Sequence, residues 1–141
     1  MTSNHPSELV IRQTYDALNR GDLAAFVSMW TPDAVLHGGS GVTVAGADEI
    51  GRLLGQLREA TGGTLRWELH DVLANDEHAV ALHVTRAELG GRSLEDRVVY
   101  VFHVRGNQIA EAWFNGDPRV QADFYGAQQI ADLGDSFSAE D

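Results

Sequence analysis

A hairpin pattern between residues 97 and 113 constrains the fold more than any other stretch. Residues 97–104 are mostly β-branched or aromatic and contain no Gly or Pro, which is typical of a strand covered on both faces. Gly106 and Asn107 tolerate the positive φ angles of a tight turn. Residues 108–113 form the second arm. The pattern predicts two long antiparallel strands joined by a short turn.

The chain before this hairpin has apolar residues at helical spacing. It predicts a helix over residues 8–19, with Ser7 as N-cap and Gly21 just past its end. Asp22 is the expected cap of a short second helix with Trp30 on its apolar face. A third helix is expected from about residue 48 to residue 60. The expected strands are 34–37, 42–44, 64–74, 78–89, 92–105 and 108–115.

Helices followed by a long run of strands indicate an α+β fold rather than an alternating parallel one. At 141 residues the chain fits one domain, 1–141. Its core is expected at about 8–126. Residues 1–6 and 131–141 are expected to be flexible tails.

The composition excludes several kinds of partner and chemistry. The net charge of -11, with ten Arg and no Lys, disfavours nucleic acid and anionic membranes. The absence of Cys excludes disulfides and thiolate chemistry. Neither a membrane-spanning apolar run nor signal-peptide character is present. We therefore expect a cytoplasmic protein.

The alternation of side chains along the strands predicts two apolar sheet faces. Tyr100 and Phe102 share one face, which we expect to point inward. Val99 and Val101 share the other. An apolar outer face requires a cover, so we expect a homodimer built on it.

The same parity argument assigns further residues to each face. It places His83 and His103 on the outer face. Arg86 and Glu88 share the inner parity, where they would line the rim of a pocket or simply pair with each other. These histidines do not form a convincing metal site, and no metal is expected.

Three residues are the catalytic candidates. His37 ends a short strand beside a glycine loop, where an imidazole would reach a pocket; the alternative is a half-exposed strand histidine. Asp117 follows the hairpin beside aromatic residues that would raise its pKa; the alternative is a plain turn before Pro118. Tyr100 would donate a hydrogen bond to a substrate carbonyl, or simply pack in the core.

An aromatic set is expected to line an apolar ligand cavity, although core packing explains most of its members equally well. Four other carboxylates are interpreted as caps or turn residues: Asp33, Asp48, Asp76 and Asp96. The aromatic set is Tyr15, Trp30, Trp67, Phe102, Trp113 and Phe114.

Three stretches together resemble a known superfamily. Residues 15–23, residues 31–35 and the hairpin at 99–113 resemble the nuclear transport factor 2-like superfamily, and within it the SnoaL-like and ketosteroid isomerase-like proteins. The resemblance covers about residues 8–126. It implies a cone-shaped curved antiparallel sheet wrapped around three helices, a pocket between them, and dimerisation through the outer sheet face. Family activities range from isomerases and polyketide cyclases to non-catalytic modules, so the fold alone selects none.

The family's catalytic residues carry over only in part. The isomerase tyrosine falls on Thr14, its base on Gly38 and its oxyanion-binding Asp on Tyr100. Two carboxylates are missing, which argues against steroid isomerisation by that mechanism. The acid/base Asp of the SnoaL-like cyclases corresponds loosely to Asp117.

The resulting hypothesis is a small-molecule pocket protein without a cofactor. As an enzyme it would be a polyketide cyclase, isomerase or dehydratase that moves protons beside a carbonyl of an apolar substrate. The alternative is a non-catalytic ligand-binding or dimeric interaction module of the same fold.

Overall fold

In the computed structural model, residues 5–38 and 42–126 are described. The α+β class is confirmed. The expected tails lie largely outside these residues. In chain order the elements are α1 (Pro6–Arg20), α2 (Leu23–Ser28), β1 (Trp30–His37), β2 (Thr43–Ala45), α3 (Ala47–Ala60), β3 (Arg66–Ala74), β4 (His78–Leu89), β5 (Arg92–Arg105), β6 (Gln108–Asn115) and α4 (Pro118–Tyr125).

The strands form one curved six-stranded sheet in the order β2-β1-β6-β5-β4-β3. Neighbouring strands pair antiparallel except β1 and β6, which are parallel. The expected curved antiparallel sheet is present, and the β1–β6 pair is its parallel exception. A long crossover links β1 to β6, as parallel pairing requires. Among the described residues, no helix has the length and apolar character needed to cross a membrane.

The β5–β6 hairpin has the predicted form. Arg105 pairs with Gln108, which leaves a two-residue turn. Gly106 has φ 60° and Asn107 has φ 65°. Both values lie in the left-handed region, as a tight turn of matching twist requires.

The start of α1 differs from the prediction. Pro6 is its first residue, and the His5 side chain is the cap, because its Nδ1 accepts a 3.0 Å hydrogen bond from the Ser7 backbone N–H. Ser7 is buried in the first turn. Proline suits this position because its missing N–H would have no helical partner. The helix ends at Gly21, with φ 76°, as predicted.

Trp30 does not belong to the second helix. That helix ends at Ser28, and Trp30 begins β1, which includes Pro32. The strand tolerates proline because the pairing of β1 with β6 is irregular between Trp30 and Val35. The Trp30 ring packs against Phe26 and Phe102 in the core.

The inner face of the sheet carries Tyr100 and Phe102, as predicted. On β4, however, the face assignment of His83 is wrong. His83 and Thr85 are buried on the inner face together with small residues, including Ala81. The helix α1 packs over β3 and β4, and small side chains allow that close approach.

Arg86 and Glu88 consequently lie on the outer side of β4, not at an inner rim. Arg86 donates a hydrogen bond from Nε to Glu68 Oε1 at 2.9 Å on the neighbouring strand. His103 is on the outer face, as predicted, where its ring stacks on His78.

Candidate functional site

A cavity of about 260 Å³ lies between the inner face of the sheet, α3 and α4. Its floor is formed by residues of β1, β5 and β6, and α3 supplies leucines to one side. An apolar cavity with a few polar groups is the usual form of a small-molecule site. Its apolar wall includes Leu36, Leu53, Leu54, Leu57, Trp67 and Phe114.

Tyr100 presents a phenol to this cavity. Its ring stacks on Phe102 with centroids 5.1 Å apart and meets the edge of Phe114 at 5.4 Å. Among the described residues, its hydroxyl has no hydrogen-bond partner. Burial raises the pKa of Tyr100, so the hydroxyl keeps its proton and acts as a donor.

Four further polar side chains line the cavity. They are Tyr125 and Gln121 on α4, Thr85 on β4, and Asn115 at the end of β6. Burial raises the pKa of Tyr125 to about 12. The polar groups therefore come from both the sheet and the helix that covers it.

Asp96 is a buried carboxylate behind the cavity wall. It lies on the inner side of β5, opposite Thr85, and is only 2% exposed. Gln121 Nε2 donates to Asp96 Oδ2 at 2.7 Å, and the Asp117 backbone N–H donates to the same carboxylate at 3.2 and 3.3 Å. These donors compensate part of the cost of burying it. They also fasten α4 to the sheet.

Gly116 allows Asp96 to lie this close to the cavity. A Cβ at Gly116 would stand 2.6 Å from Asp96 Oδ2 and 2.6 Å from the Phe114 ring. Gly116 itself lines the cavity. A thin part of the wall, formed by Gly116 and Gln121, thus separates Asp96 from the cavity.

A buried hydrogen-bond chain connects α1 to the same region. Tyr15 Oη and His83 Nδ1 are 2.6 Å apart, and His83 Nε2 and Thr85 Oγ1 are 2.8 Å apart. Burial lowers the pKa of His83 to about 4. Burial, and then the nearby Tyr100, raise the pKa of Tyr15. Both groups are therefore uncharged at neutral pH.

A smaller void of about 30 Å³ lies deeper in the core. Tyr15, Trp30 and Phe102 line it, while Trp67 and Tyr100 border both spaces. The Trp30 Nε1–H is buried, and it has no hydrogen-bond partner within residues 5–38 and 42–126. Of the aromatic set expected at the ligand, Trp67 and Phe114 contact the large cavity. Tyr15, Trp30 and Phe102 lie beneath it, around the small void.

His37 is not in the cavity. Its neighbour Leu36 points inward, so His37 points outward. Its Nε2 is 2.6 Å from Glu111 Oε2, and its ring stacks on Trp113 at 5.5 Å. The expectation that His37 reaches the pocket is wrong because alternation along β1 turns it to the opposite face. Trp113 is excluded from the cavity for the same reason.

Asp117 is an exposed helix cap. Its Oδ1 accepts a 2.9 Å hydrogen bond from the Arg119 backbone N–H at the start of α4. It does not line the cavity. The expected desolvation beside aromatic residues is absent, because the carboxylate is turned toward the helix N-terminus.

The sequence interpretation misplaces Asp96 and His83, and it does not single out Thr85, Gln121 and Tyr125. Asp96 was interpreted as a turn residue, although it shares the parity of Val98 and Tyr100, which was the available signal. The sequence assigns His83 to the outside because the larger residues of β4 favour the opposite face as the core face. Among the described residues, no group of three or more metal-binding side chains occurs.

Solved structures share this fold. The chain superposes on Bal32a, from a soil-derived mobile gene cassette, with a TM-score of 0.79 and 22% identity over 85% of this chain and 96% of that one. An NTF2-like protein from Burkholderia pseudomallei gives a TM-score of 0.76 and 19% identity, covering 88% and 100%. IdmH from Streptomyces antibioticus, a candidate polyketide cyclase, gives 0.73 and 20%, covering 84% and 97%. At these identities the likeness shows the fold alone.

Sequence relatives show the family. An uncharacterized protein from Mycobacterium tuberculosis is 33% identical over 132 residues, covering 89% of this chain and 99% of that protein. Residues 11–112 match the family model of the SnoaL-like domain. The chain is therefore a member of the SnoaL-like domain family, with an NTF2-like fold.

Proposed function

We propose that this protein binds an apolar, carbonyl-bearing small molecule in the 260 Å³ cavity and catalyses proton transfer beside that carbonyl without a cofactor. The observation that supports this most is the unpartnered Tyr100 phenol in a mainly apolar cavity. Reactions of this class include the cyclisation, isomerisation or dehydration of polyketide-like substrates. The structural likeness to IdmH is in keeping with this class.

Tyr100 is the electrophilic group in this proposal. Its raised pKa keeps the phenol protonated, so it can donate a hydrogen bond to the ligand's carbonyl oxygen. When a proton leaves the adjacent carbon, the electron pair of that C–H bond moves toward the carbonyl. The hydrogen bond from Tyr100 then stabilises the developing enolate, as oxyanion-hole donors do.

Asp96 is the proton acceptor in this proposal, in place of His37 and Asp117. It is the carboxylate directly behind Gly116 and Gln121. Rotation of the Gln121 side chain would open Asp96 Oδ2 to the ligand. The carboxylate then takes the proton and returns it to the product, so no external acid or base is consumed.

A non-catalytic binding module is the second candidate. It is favoured by the engagement of Asp96, which already accepts hydrogen bonds from Gln121 and Asp117. Under this alternative, Asp96 only fastens α4. The cavity and the Tyr100 donor would serve binding alone.

Deuterium exchange into a bound ketone separates the two candidates. The probe is 2-acetylnaphthalene, whose methyl protons are adjacent to its carbonyl; NMR in D₂O measures both binding and exchange. Proton-transfer catalysis predicts faster exchange with the protein than without it. Tyr100→Phe should slow this exchange by about 100-fold, the typical effect of losing one such donor.

Two variants complete the experiment. Asp96→Asn keeps an oxygen that can accept from Gln121 and Asp117, but it should abolish the exchange while the ketone still binds. Tyr125→Phe removes the other cavity phenol and should have a much smaller effect. Binding with no accelerated exchange would support the binding module. Absence of binding, or binding unaffected by Tyr100→Phe, would contradict both candidates.

A further inference from the structure

We propose that Thr85 is a second hydrogen-bond donor in the cavity, held in that role by Tyr15 and His83, and that the ligand carries two separate oxygen acceptors. This inference rests on the proposed function, because it takes the ligand carbonyl at Tyr100 as the first acceptor. It assigns the ligand to the class of apolar dicarbonyl compounds.

The first step is to establish where the protons lie in the Tyr15–His83–Thr85 hydrogen-bond chain. The low pKa of His83 makes its imidazole neutral at neutral pH. A neutral imidazole has one donor and one acceptor nitrogen. Its two neighbours are both hydroxyls, Tyr15 at Nδ1 and Thr85 at Nε2. The hydrogen bonds from Tyr15 through His83 to Thr85 must therefore all be donated in the same direction, and two directions are possible.

The second step compares those two directions. If Nδ1 carries the proton, it donates to Tyr15 Oη, and the Tyr15 hydroxyl proton needs another acceptor. None exists among the described residues, and Tyr15 is buried. If Nε2 carries the proton, Tyr15 donates to Nδ1 and Nε2 donates to Thr85 Oγ1. Within the described part of the chain, only the Thr85 hydroxyl proton then remains without an acceptor.

The third step is the position of Thr85. It lines the large cavity, whereas Tyr15 lies against the small void. An unpaired donor costs less where a ligand oxygen can meet it than where it is sealed in the core. The chain therefore runs from Tyr15 through His83 to Thr85 and ends in the cavity. Tyr15 and His83 are positioning residues, and Thr85 is the group that contacts the ligand.

The fourth step is the spacing of the two donors. Thr85 pairs with Asp96 on β5, and Tyr100 lies two inner-face positions further along that strand. The His83 ring neighbours both residues: its Nε2 is 2.8 Å from Thr85 Oγ1, and its centroid is 5.8 Å from that of the Tyr100 ring. Because four residues along a strand span about 13 Å, we assign the two donors to separate oxygen atoms of the ligand. Two acceptors on a ligand with an apolar body match this arrangement.

The experiment compares the monoketone 2-acetylnaphthalene with three diketones: 1,4-, 2,6- and 2,7-diacetylnaphthalene. At least one diketone should bind the wild-type protein roughly two- to tenfold more tightly than the monoketone, which is the usual worth of one hydrogen bond. Thr85→Val should remove that gain, so that the diketone and the monoketone bind the variant with similar affinity. Thr85→Ser, which restores a hydroxyl, should recover it.

Nitrogen-15 NMR of the histidines tests the direction of the chain independently of any ligand. His83 should carry its proton on Nε2 and none on Nδ1, with His83→Gln used to assign the signal. Tyr15→Phe should reduce the ratio of diketone affinity to monoketone affinity, whereas a purely structural role would weaken both ketones equally and leave the ratio unchanged.

The outcomes separate this inference from the proposed function. A diketone gain that persists in Thr85→Val, or a His83 proton on Nδ1, would overturn the inference. If the protein still accelerates deuterium exchange into 2-acetylnaphthalene and Tyr100→Phe slows that exchange, the proposed function stands. If neither kind of ketone binds the wild-type protein, both are overturned.

Discussion

Two histidines on opposite faces of the same sheet show how position determines chemistry in this fold. His83, on the inner face, is 3% exposed and has a pKa lowered by burial to about 4. Its partners are the hydroxyls of Tyr15 and Thr85. His37, on the outer face, is half-exposed and pairs with the carboxylate of Glu111.

The comparison extends to the carboxylates at the end of the sheet. Asp96 is buried and accepts hydrogen bonds from α4, whereas Asp117 is exposed and only caps that helix. In both pairs, the sequence highlighted the residue on the outside. A residue next to a loop or a strand end is conspicuous in a sequence. A polar residue on a regular inward-facing strand position is not, although burial makes its interactions stronger.

The largest expected loss of stability follows from replacing Asp96, the buried carboxylate of the pair. Asp96→Ala should lower the free energy of unfolding by about 3 kcal/mol, because it leaves the Asp117 N–H and the Gln121 amide without their acceptor and creates a cavity. Asp117→Ala, the matched control, should cost about 1 kcal/mol, the usual value for an N-cap. Urea denaturation measures both. Equal costs for the two variants would contradict the assignment of Asp96 as the anchor of α4.

The second effect is the dependence of stability on pH. The folded pKa of His83, about 4, lies below its ordinary value of 6.5. Between these pH values the unfolded chain binds a proton that the folded protein does not. Stability should therefore be complete above pH 6.5 and should fall, by up to about 3 kcal/mol, as the pH decreases toward 4.

Denaturation curves between pH 7.5 and pH 4.5 measure this contribution as a difference between wild type and His83→Gln. The variant should lose less stability than the wild type over this range, because its side chain does not titrate. Parallel pH profiles for the two proteins would show that His83 is not buried as a neutral group.

The sequence predicted the framework of the molecule better than its site. The bounds of β4, β5 and β6 follow from long strand-forming stretches closed by Gly or Asn, which are local signals. The inward position of Tyr100 follows from alternation within the hairpin. The inward face of β4 did not follow from alternation. Close packing of α1 selects small residues on that face and places Val80 and Leu82 on the outer side. Such packing depends on a distant helix, so no local pattern reports it.

A smaller effect is expected on the outer face. His37→Gln removes the contact between the imidazole and Glu111 and should lower the free energy of unfolding by less than about 1 kcal/mol, as for other solvent-exposed polar pairs. The affinity for 2-acetylnaphthalene should not change, because His37 points away from the cavity. Fluorescence titration of the ketone measures this. A large loss of binding would restore His37 as a candidate for the site and contradict its outward position.

The last prediction concerns the assembly of the protein, which should have little effect on the cavity. We propose that the chain forms a homodimer through the outer sheet face, where Val99 is 39% exposed and Val101 and Trp113 are only partly covered. An apolar sheet face of this kind favours association with a second copy. Val99→Arg should convert the dimer to a monomer in sedimentation velocity, while ketone affinity changes by less than about twofold because the cavity lies on the other face.

Arg97→Ala, a change on the same face that removes no apolar surface, should leave the dimer intact. A wild-type monomer would refute the proposed dimer. A dimer whose dissociation abolishes ketone binding would show instead that the two faces of the sheet are coupled.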